Sequence, residues 1–418
     1  MGGLHPRHLS PFARWVIGIL AAVFLATVAA MIALWPSGAA PSVSGNLAIV
    51  TGRGVQFDSG TVRSVGTGPC GSPSAHRAFV GVPESPPVSQ GQCRQAVVDI
   101  TSGPDAGSQT LLPMTGGPGE PDLEAGDHLR LSRTQGGGDP GAYGGGGTLY
   151  DFEDFARGLP LGMWALAAAV VVCAVAAWRG FRALIGVGVA LAVIVGFTLP
   201  SLLDGNSPVL LALVTGSMIL FVVVYLAHGV NLRASAALLG TLASLALAAG
   251  LSWLAIDTAT LTGLAEESNT TIQAYLGSVS VTGLLLAGFI IGSLGVLNDV
   301  TISQAATVFE LAGADRSMGV RSLFASAMRV GRDHIASMIY TLVLAYVGST
   351  LPLLLIFAVS QRSLADIITS DVVAVEVVRS LVGAMAVVLS VPLTTVVAAM
   401  LTRGTDARTL AAGPGHHH

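Results

Sequence analysis

Asn298 and Asp299 stand at the inner end of a long charge-free run, and Glu310 follows eleven residues later. On one continuous helix that spacing is about three turns, so the two carboxylates share a face. A carboxylate at membrane depth is costly and must be paired or face water. Asp299 is therefore either a proton or cation relay or the hydrated end of a helix. Downstream, Val320, Leu323, Phe324, Ala327 and Met328 make an apolar stripe, with Arg321, Arg329, Arg332 and Asp333 near its polar side. This pattern predicts an amphipathic helix at the inner interface, feeding the next apolar run. Its arginines either attract anionic lipid or, at Arg329 and Arg332, pair with Asp299 or Glu310 as a gate. Glu376 and Arg379 are three residues apart, hence on one helical face, and can close an external gate or act as an ordinary anchor. The chain has no HExxH, GxSxG or P-loop, so no catalytic residue is assigned. His76, Asp127, His128 and Asp139 match no compact ligand spacing, so no metal site and no cofactor are expected. The chemistry on offer is proton or cation coupling.

Those groups need a membrane around them. Hydrophobic residues are 52% and charged residues 11%, with mean hydropathy +0.71; soluble domains run near a quarter charged. The uncharged cores are Trp15 to Trp35, Gly158 to Trp178, Ala183 to Leu203, Ser207 to Ala227, Ala234 to Ile256, Gly277 to Asn298, Ile335 to Ser360 and Ser380 to Thr402. Each is long enough for a hydrocarbon layer of ~30 Å. The expected fold is a polytopic α-helical membrane protein of about eight transmembrane helices. All twenty basic residues are arginine. Arg7, Arg14, Arg179, Arg182, Arg233, Arg316, Arg321, Arg329, Arg332, Arg403 and Arg408 fall on one face under this topology. The loops opposite carry Asp204, Asp257, Glu266, Glu267, Asp366 and Asp371, with Arg362 and Arg379 as exceptions. The positive-inside rule then makes both termini cytoplasmic in a bacterial inner membrane. The first run reads as a retained anchor, being longer than a signal-peptide core; cleavage is the alternative.

Residues 37–157 are rich in Gly, Pro and Ser, and their periodicity turns β-like. Strands are expected from Asn46 to Val55, Ala96 to Ile100 and Asp127 to Ser132, the last after a Glu124–Asp127 turn. Gly136–Gly138 and Gly144–Gly147 read as a flexible tip. The whole is a small extracytoplasmic β-rich domain inserted after the first helix, barrel or sandwich. Cys70 and Cys93 both lie in it, where an oxidising compartment permits a disulfide; two free thiols are the alternative. Cys173 falls within the second apolar run and reads as a packing residue. Gly288, Gly292 and Gly295 give one helix a smooth face for close packing or sliding. Gly348, Pro352 and Pro392 interrupt the last two runs and are hinge candidates. The domain plan is 1–36, 37–157, 158–402 with a cytoplasmic amphipathic segment 303–333, and a tail 403–418 whose His416, His417 and His418 read as a tag.

The stretch Gly295-Val-Leu-Asn-Asp299-Val-Thr-Ile-Ser303, then Glu310, then Met328-Arg-Val-Gly331-Arg332-Asp333-His-Ile, then Leu344-Ala-Tyr346-Val-Gly348-Ser, resembles the YibE/F family of bacterial multi-pass membrane proteins. The arrangement agrees over roughly residues 15–402, and the most specific similarity is in 295–352. The resemblance places the family's acids at Asp299 and Glu310 and its Gly-Arg-Asp at Gly331, Arg332 and Asp333. It places the membrane-entry acid and base at Glu376 and Arg379. Where the family commonly has Asn before its Leu-Ala-Tyr run, this chain has Tyr340, so no polar contact of that kind is expected. The resemblance implies fold and topology and brings no activity with it.

The bundle, its interrupted runs and its terminal acids point to a secondary transporter using alternating access, its substrate open. Asp299 and Glu310 would carry protonation or ion contact, and Arg332 with Asp333 would steady an inner gate. The alternative is a non-transporting scaffold or envelope assembly factor whose external domain binds a partner. A channel and an intramembrane enzyme have less in the sequence to support them. Expected partners are membrane lipids and either a second copy or an envelope protein, and no nucleic acid.

Overall fold

The computed structural model describes residues 10–38, 55–88, 91–114, 116–117, 119–135, 148–264, 267–276, 279–360 and 362–403. Arg7, the expected strand from Asn46 up to residue 54, Gly136–Gly138, Asp139, Gly144–Gly147, Glu266, Arg408 and His416–His418 lie outside them. The chain divides into two compact units, Val43–Val171, and Met1–Ser42 with Val172–His418.

The first unit is one antiparallel sheet of β1 (Gln56–Pro69), β2 (Ala78–Phe79), β3 (Gln92–Ile100), β4 (Gln109–Met114), β5 (His128–Gln135) and β6 (Thr148–Phe155), in the order β2-β4-β3-β1-β5-β6. Long β1 is central because it pairs twice, Val62 opposite Val98 of β3 and Gly60 opposite Leu129 of β5. A register shift between Val62 and Ser64 bends it, as an extra residue in one strand does. A bridge between Arg77 and Leu149 brings the two ends of the sheet together, so the sheet closes as a small barrel. Alternation sends Val62, Val98, Leu112, Leu129, Leu131 and Tyr150 inward. Asp58 is buried there and meets Arg133 at 2.8 Å. Gly103, at φ +85°, lies against Asp58, and a Cβ on it would run into that carboxylate. The expected strand at Ala96–Ile100 falls within β3, the one at Asp127–Ser132 is β5 from His128 onward, and Gly126 makes the turn just before β5 at φ 97°. Cys70 and Cys93 are disulfide-bonded, tying the residue after β1 to the start of β3 across Cα atoms 5.1 Å apart.

The second unit is helical: α1 (Pro11–Ala33), α2 (Gly158–Leu203, begun in the first unit), α3 (Pro208–His228), α4 (Leu232–Thr258), α5 (Glu267–Tyr275), α6 (Val281–Ala314), α7 (Val320–Ser349), α8 (Leu351–Val359), α9 (Leu364–Ile368) and α10 (Asp371–Thr402). Ser10 caps α1 by accepting from Ala13 N at 3.1 Å, and Asn231 caps α4 by accepting from Ala234 N at 2.8 Å. Among the described residues six helices are long and apolar enough to cross a bilayer, seven if α7 and α8, bent by 62°, make one span. The protein is therefore a polytopic α-helical membrane protein with a β-rich domain inserted after its first helix.

The count departs from the eight runs of the sequence because the runs from Gly158 and from Ala183 share α2, 46 residues without an intervening coil. At 1.5 Å per residue that is roughly 69 Å, more than twice a ~30 Å hydrocarbon layer. It is not straight. Ala177 has φ 48° and ψ −132°, and a Cβ on Gly180 would lie 2.5 Å from the Val172 carbonyl oxygen. Eight residues of straight helix would separate such atoms by about 12 Å. The chain doubles back at Ala177, where Trp178 stacks on Phe181 and Arg182 lies 5.8 Å over the Trp178 ring.

The 303–333 segment is not one element. Its first part prolongs α6 to Ala314, and α7 starts at Val320. The expected amphipathic stripe is present in α7: Leu323 and Ala327 are buried while Arg321, Arg329 and Arg332 are exposed. The bundle core is where α4, α6 and α10 interlock through Leu238, Leu245, Ile290, Ala305 and Ala398.

Candidate functional site

Arg379 sits on the third turn of α10, one turn beyond Glu376, and its Nη1 donates to the Glu376 Oε1 at 2.6 Å. The same guanidinium lies 5.1 Å over the ring of Phe289 on α6 and 5.9 Å over that of Tyr346 on α7. Three helices thus meet on one cation, whose charge the two ring faces favour. The side chains are 28% and 21% exposed, so the pair is neither dry nor a surface bridge. Glu376 Oε2 and Arg379 Nε are buried and have no hydrogen-bond partner among the described residues. Both groups keep bonding capacity for water or a ligand.

A pocket of 220 Å³ reaches Glu376 from the end of the bundle where α10 begins. Asp371, Asn269, Ser349 and Thr350 give it polar walls. Asp371 is fixed by two bonds at 3.1 Å, accepting from the backbone N and the hydroxyl of Thr262. The pocket lies at the α7–α8 break: Thr350 joins the two helices and Pro352 is the second residue of α8. The helical break falls at Thr350, two residues after Gly348. Pro392 stays inside an unbroken α10.

Asp299 and Glu310 are arranged differently. α6 is continuous, so Asp299 and Glu310 share its face, and both are exposed. Glu310 lies 3.5 Å from Arg233 at the start of α4. No ion pair among the described residues joins Asp299 or Glu310 to Arg329 or Arg332. Arg329 donates instead to Ser326 Oγ at 2.9 Å, and Arg332 and Asp333 are exposed. Gly331 of the same motif is buried, where a Cβ would meet Val391 at 2.8 Å and Gln304 at 2.9 Å. That glycine permits the crossing of α7 over α10.

Three glycines expected to make a packing face do so only in part. A Cβ on Gly292 would stand 3.6 Å from the Tyr346 hydroxyl, while Gly288 and Gly295 face open space. Close helix approach falls instead at Gly240, against Thr394, and at Gly383, against Leu342. A buried polar seam also escaped the reading of charges. Gln304 Nε2 donates to the Ala327 carbonyl at 3.1 Å and to Thr395 Oγ1 at 2.7 Å, joining α6, α7 and α10. The hydroxyls of Thr241 and Thr301 share a hydrogen bond at 2.5 Å between α4 and α6. A lone Gln in an apolar helix was the available signal.

Long apolar helices around a few half-buried ionisable groups define a multi-pass membrane protein. Residues 164–404 match the family described as YibE/F-like protein. The chain belongs to the YibE/F family, a membership consistent with a bacterial inner-membrane protein. The match covers the helical part from within α2 onward and leaves α1 and the β barrel outside. Neither a curated protein nor a solved structure matches the chain.

Proposed function

We propose that this protein is a secondary transporter working by alternating access, with the Glu376–Arg379 pair as the gate on the side of the 220 Å³ pocket. The observation that carries the reading is that pair. It lies between three helices, keeps unfilled bonding capacity, and adjoins both a polar pocket and a broken helix. Irregular backbone at membrane depth belongs where it lines a water-filled path. Proton or cation coupling follows from the carboxylates: Glu376 and Asp371 at the pocket, Asp299 and Glu310 at the other end of the path. The chain is not an enzyme in this reading, and it needs no cofactor.

The doubling-back of α2 at Ala177 supports two spans there in place of one, and the α7–α8 pair adds one broken span, giving eight in all. With arginines kept inside, both termini are cytoplasmic and residues 37–157 extracytoplasmic. The gate is testable with cysteine at Leu342, a buried residue on α7 packed against Gly383, one turn below Arg379. In a Cys173→Ala background, a membrane-impermeant thiol reagent added on the pocket side labels L342C slowly. Adding E376Q/R379Q speeds labelling about tenfold if the pair is a gate, whereas an unchanged rate contradicts it.

One observation favours a second reading, a non-transporting scaffold that binds an envelope protein. The β barrel has a pocket of 560 Å³ lined by His76, Arg77 and Asp151 beside the disulfide. Removing 45–150 then abolishes partner co-purification and leaves membrane insertion intact.

A further inference from the structure

A cavity of about 980 Å³ lies where the start of α1, the loop after α6, the start of α7 and the end of α10 converge. Arg316, Arg321 and Arg403 line it from three of these elements. Among the described residues none of the three is in an ion pair. Among the described residues the one carboxylate on the wall is Asp315, which bonds to Ser317 rather than to an arginine: its Oδ1 accepts from Ser317 N at 2.9 Å and Ser317 Oγ at 2.6 Å. Those bonds hold the Asp315 acid below the usual carboxylate range. Gly319, just before α7, gives it no side-chain cap, so the first-turn N–H groups of a 30-residue helix add to the positive side of the cavity. Met318 and Leu323 supply an apolar wall.

We infer that this cavity binds a phosphate-bearing anion, held by Arg316, Arg321 and Arg403. Guanidinium forks match phosphate oxygens two at a time. Three of them, contributed by separate elements around a single cavity, make a defined site rather than the diffuse attraction of a basic helix to a lipid surface. The apolar wall suits the glycerol and upper acyl portion of an anionic phospholipid, and the same arginines would accept a free phosphate. The proposal does not depend on transport.

The test uses the full chain in neutral detergent. Native mass spectrometry follows retention of phosphatidylglycerol against phosphatidylcholine, and calorimetry follows inorganic phosphate. R321Q/R403Q is compared with R179Q/R182Q, which removes the same charge outside the cavity. One retained phosphatidylglycerol, weakened about tenfold by R321Q/R403Q and unaffected by R179Q/R182Q, assigns the site to a lipid headgroup. The same pattern with inorganic phosphate assigns it to a soluble anion. R316Q lies in the loop outside any helix, and its severalfold loss carries the test should the double variant misfold. Equal losses in both double variants, wild-type binding in R321Q/R403Q and R316Q, or no binding of either probe to the wild type overturns the proposal.

Discussion

Arg379 on α10 holds its guanidinium 5.1 Å above the ring of Phe289 on α6 while bonded to Glu376 at 2.6 Å. The ion pair is thus clamped to a second helix by an aromatic face rather than by a second charge. R379Q leaves the Glu376 carboxylate unpaired in a mostly buried place, and fully buried pairs lose ~3–5 kcal/mol when broken this way. Partial exposure reduces that to about 2 kcal/mol here. E376Q/R379Q, with no charge left to desolvate, is expected to be the more stable of the two. Thermal unfolding of the two variants in detergent checks the order.

Gln304 is another polar tie in the bundle. Q304L removes the bonds to Ala327 O and Thr395 Oγ1 and leaves both without that donor. The expected cost is about 1–3 kcal/mol. G331A forces a methyl against Val391 and Gln304, for roughly 1–3 kcal/mol. Since both act at one crossing, the double variant should lose less than the sum of the singles, read from the same melts.

His76 Nδ1 lies 2.6 Å from Asp151 Oδ1 in the barrel. Donation of the His76 ring N–H to the Asp151 carboxylate holds His76 above the usual histidine range, and the same bond holds Asp151 below the usual carboxylate range. The raised histidine stabilises the fold fully below its unfolded pKa of about 6.5 and ceases to as pH rises through its folded value. The depressed Asp151 contributes above an unfolded pKa of about 3.9 and loses that as pH falls through its folded value. The pair therefore helps most between about pH 4 and 6.5. The His76 resonance of the full chain, assigned with H76Q, should titrate with a midpoint above that of free histidine. D151N should return it to the ordinary range.

The doubling-back of α2 is a topological claim. Cysteines replacing Arg182 and Asn206 should face opposite sides of the membrane, as read by labelling in intact and permeabilised vesicles. Labelling of both from one side contradicts a second crossing.

Legibility in the sequence followed the strength of the physical signal. Apolar length marked each long helix, because hydrocarbon tolerates few charges. The charges of Arg179 and Arg182 also put the break between the second and third runs just after Trp178, beside the positive-φ Ala177. In the barrel, β3 and β5 announced themselves by alternation. β4 was obscured by Pro113, and β6 by three acids among its eight residues. Glu376 and Arg379 were readable because a spacing of three fixes a face. Arg233 as the partner of Glu310 was not, since 77 residues of chain separate them. The roles of Gly240, Gly331 and Gly383 depend on what crosses them, which no local pattern records.

The most direct test of the transport account is dissipation of an imposed pH gradient in proteoliposomes, followed by a lumenal pH dye across a panel of monovalent and divalent cations. Wild-type protein should outpace protein-free vesicles with at least one cation, and E376Q, D299N and E310Q should each fall to the protein-free rate. A wild type no faster than empty vesicles with every cation, or an E376Q variant as fast as the wild type, would contradict it.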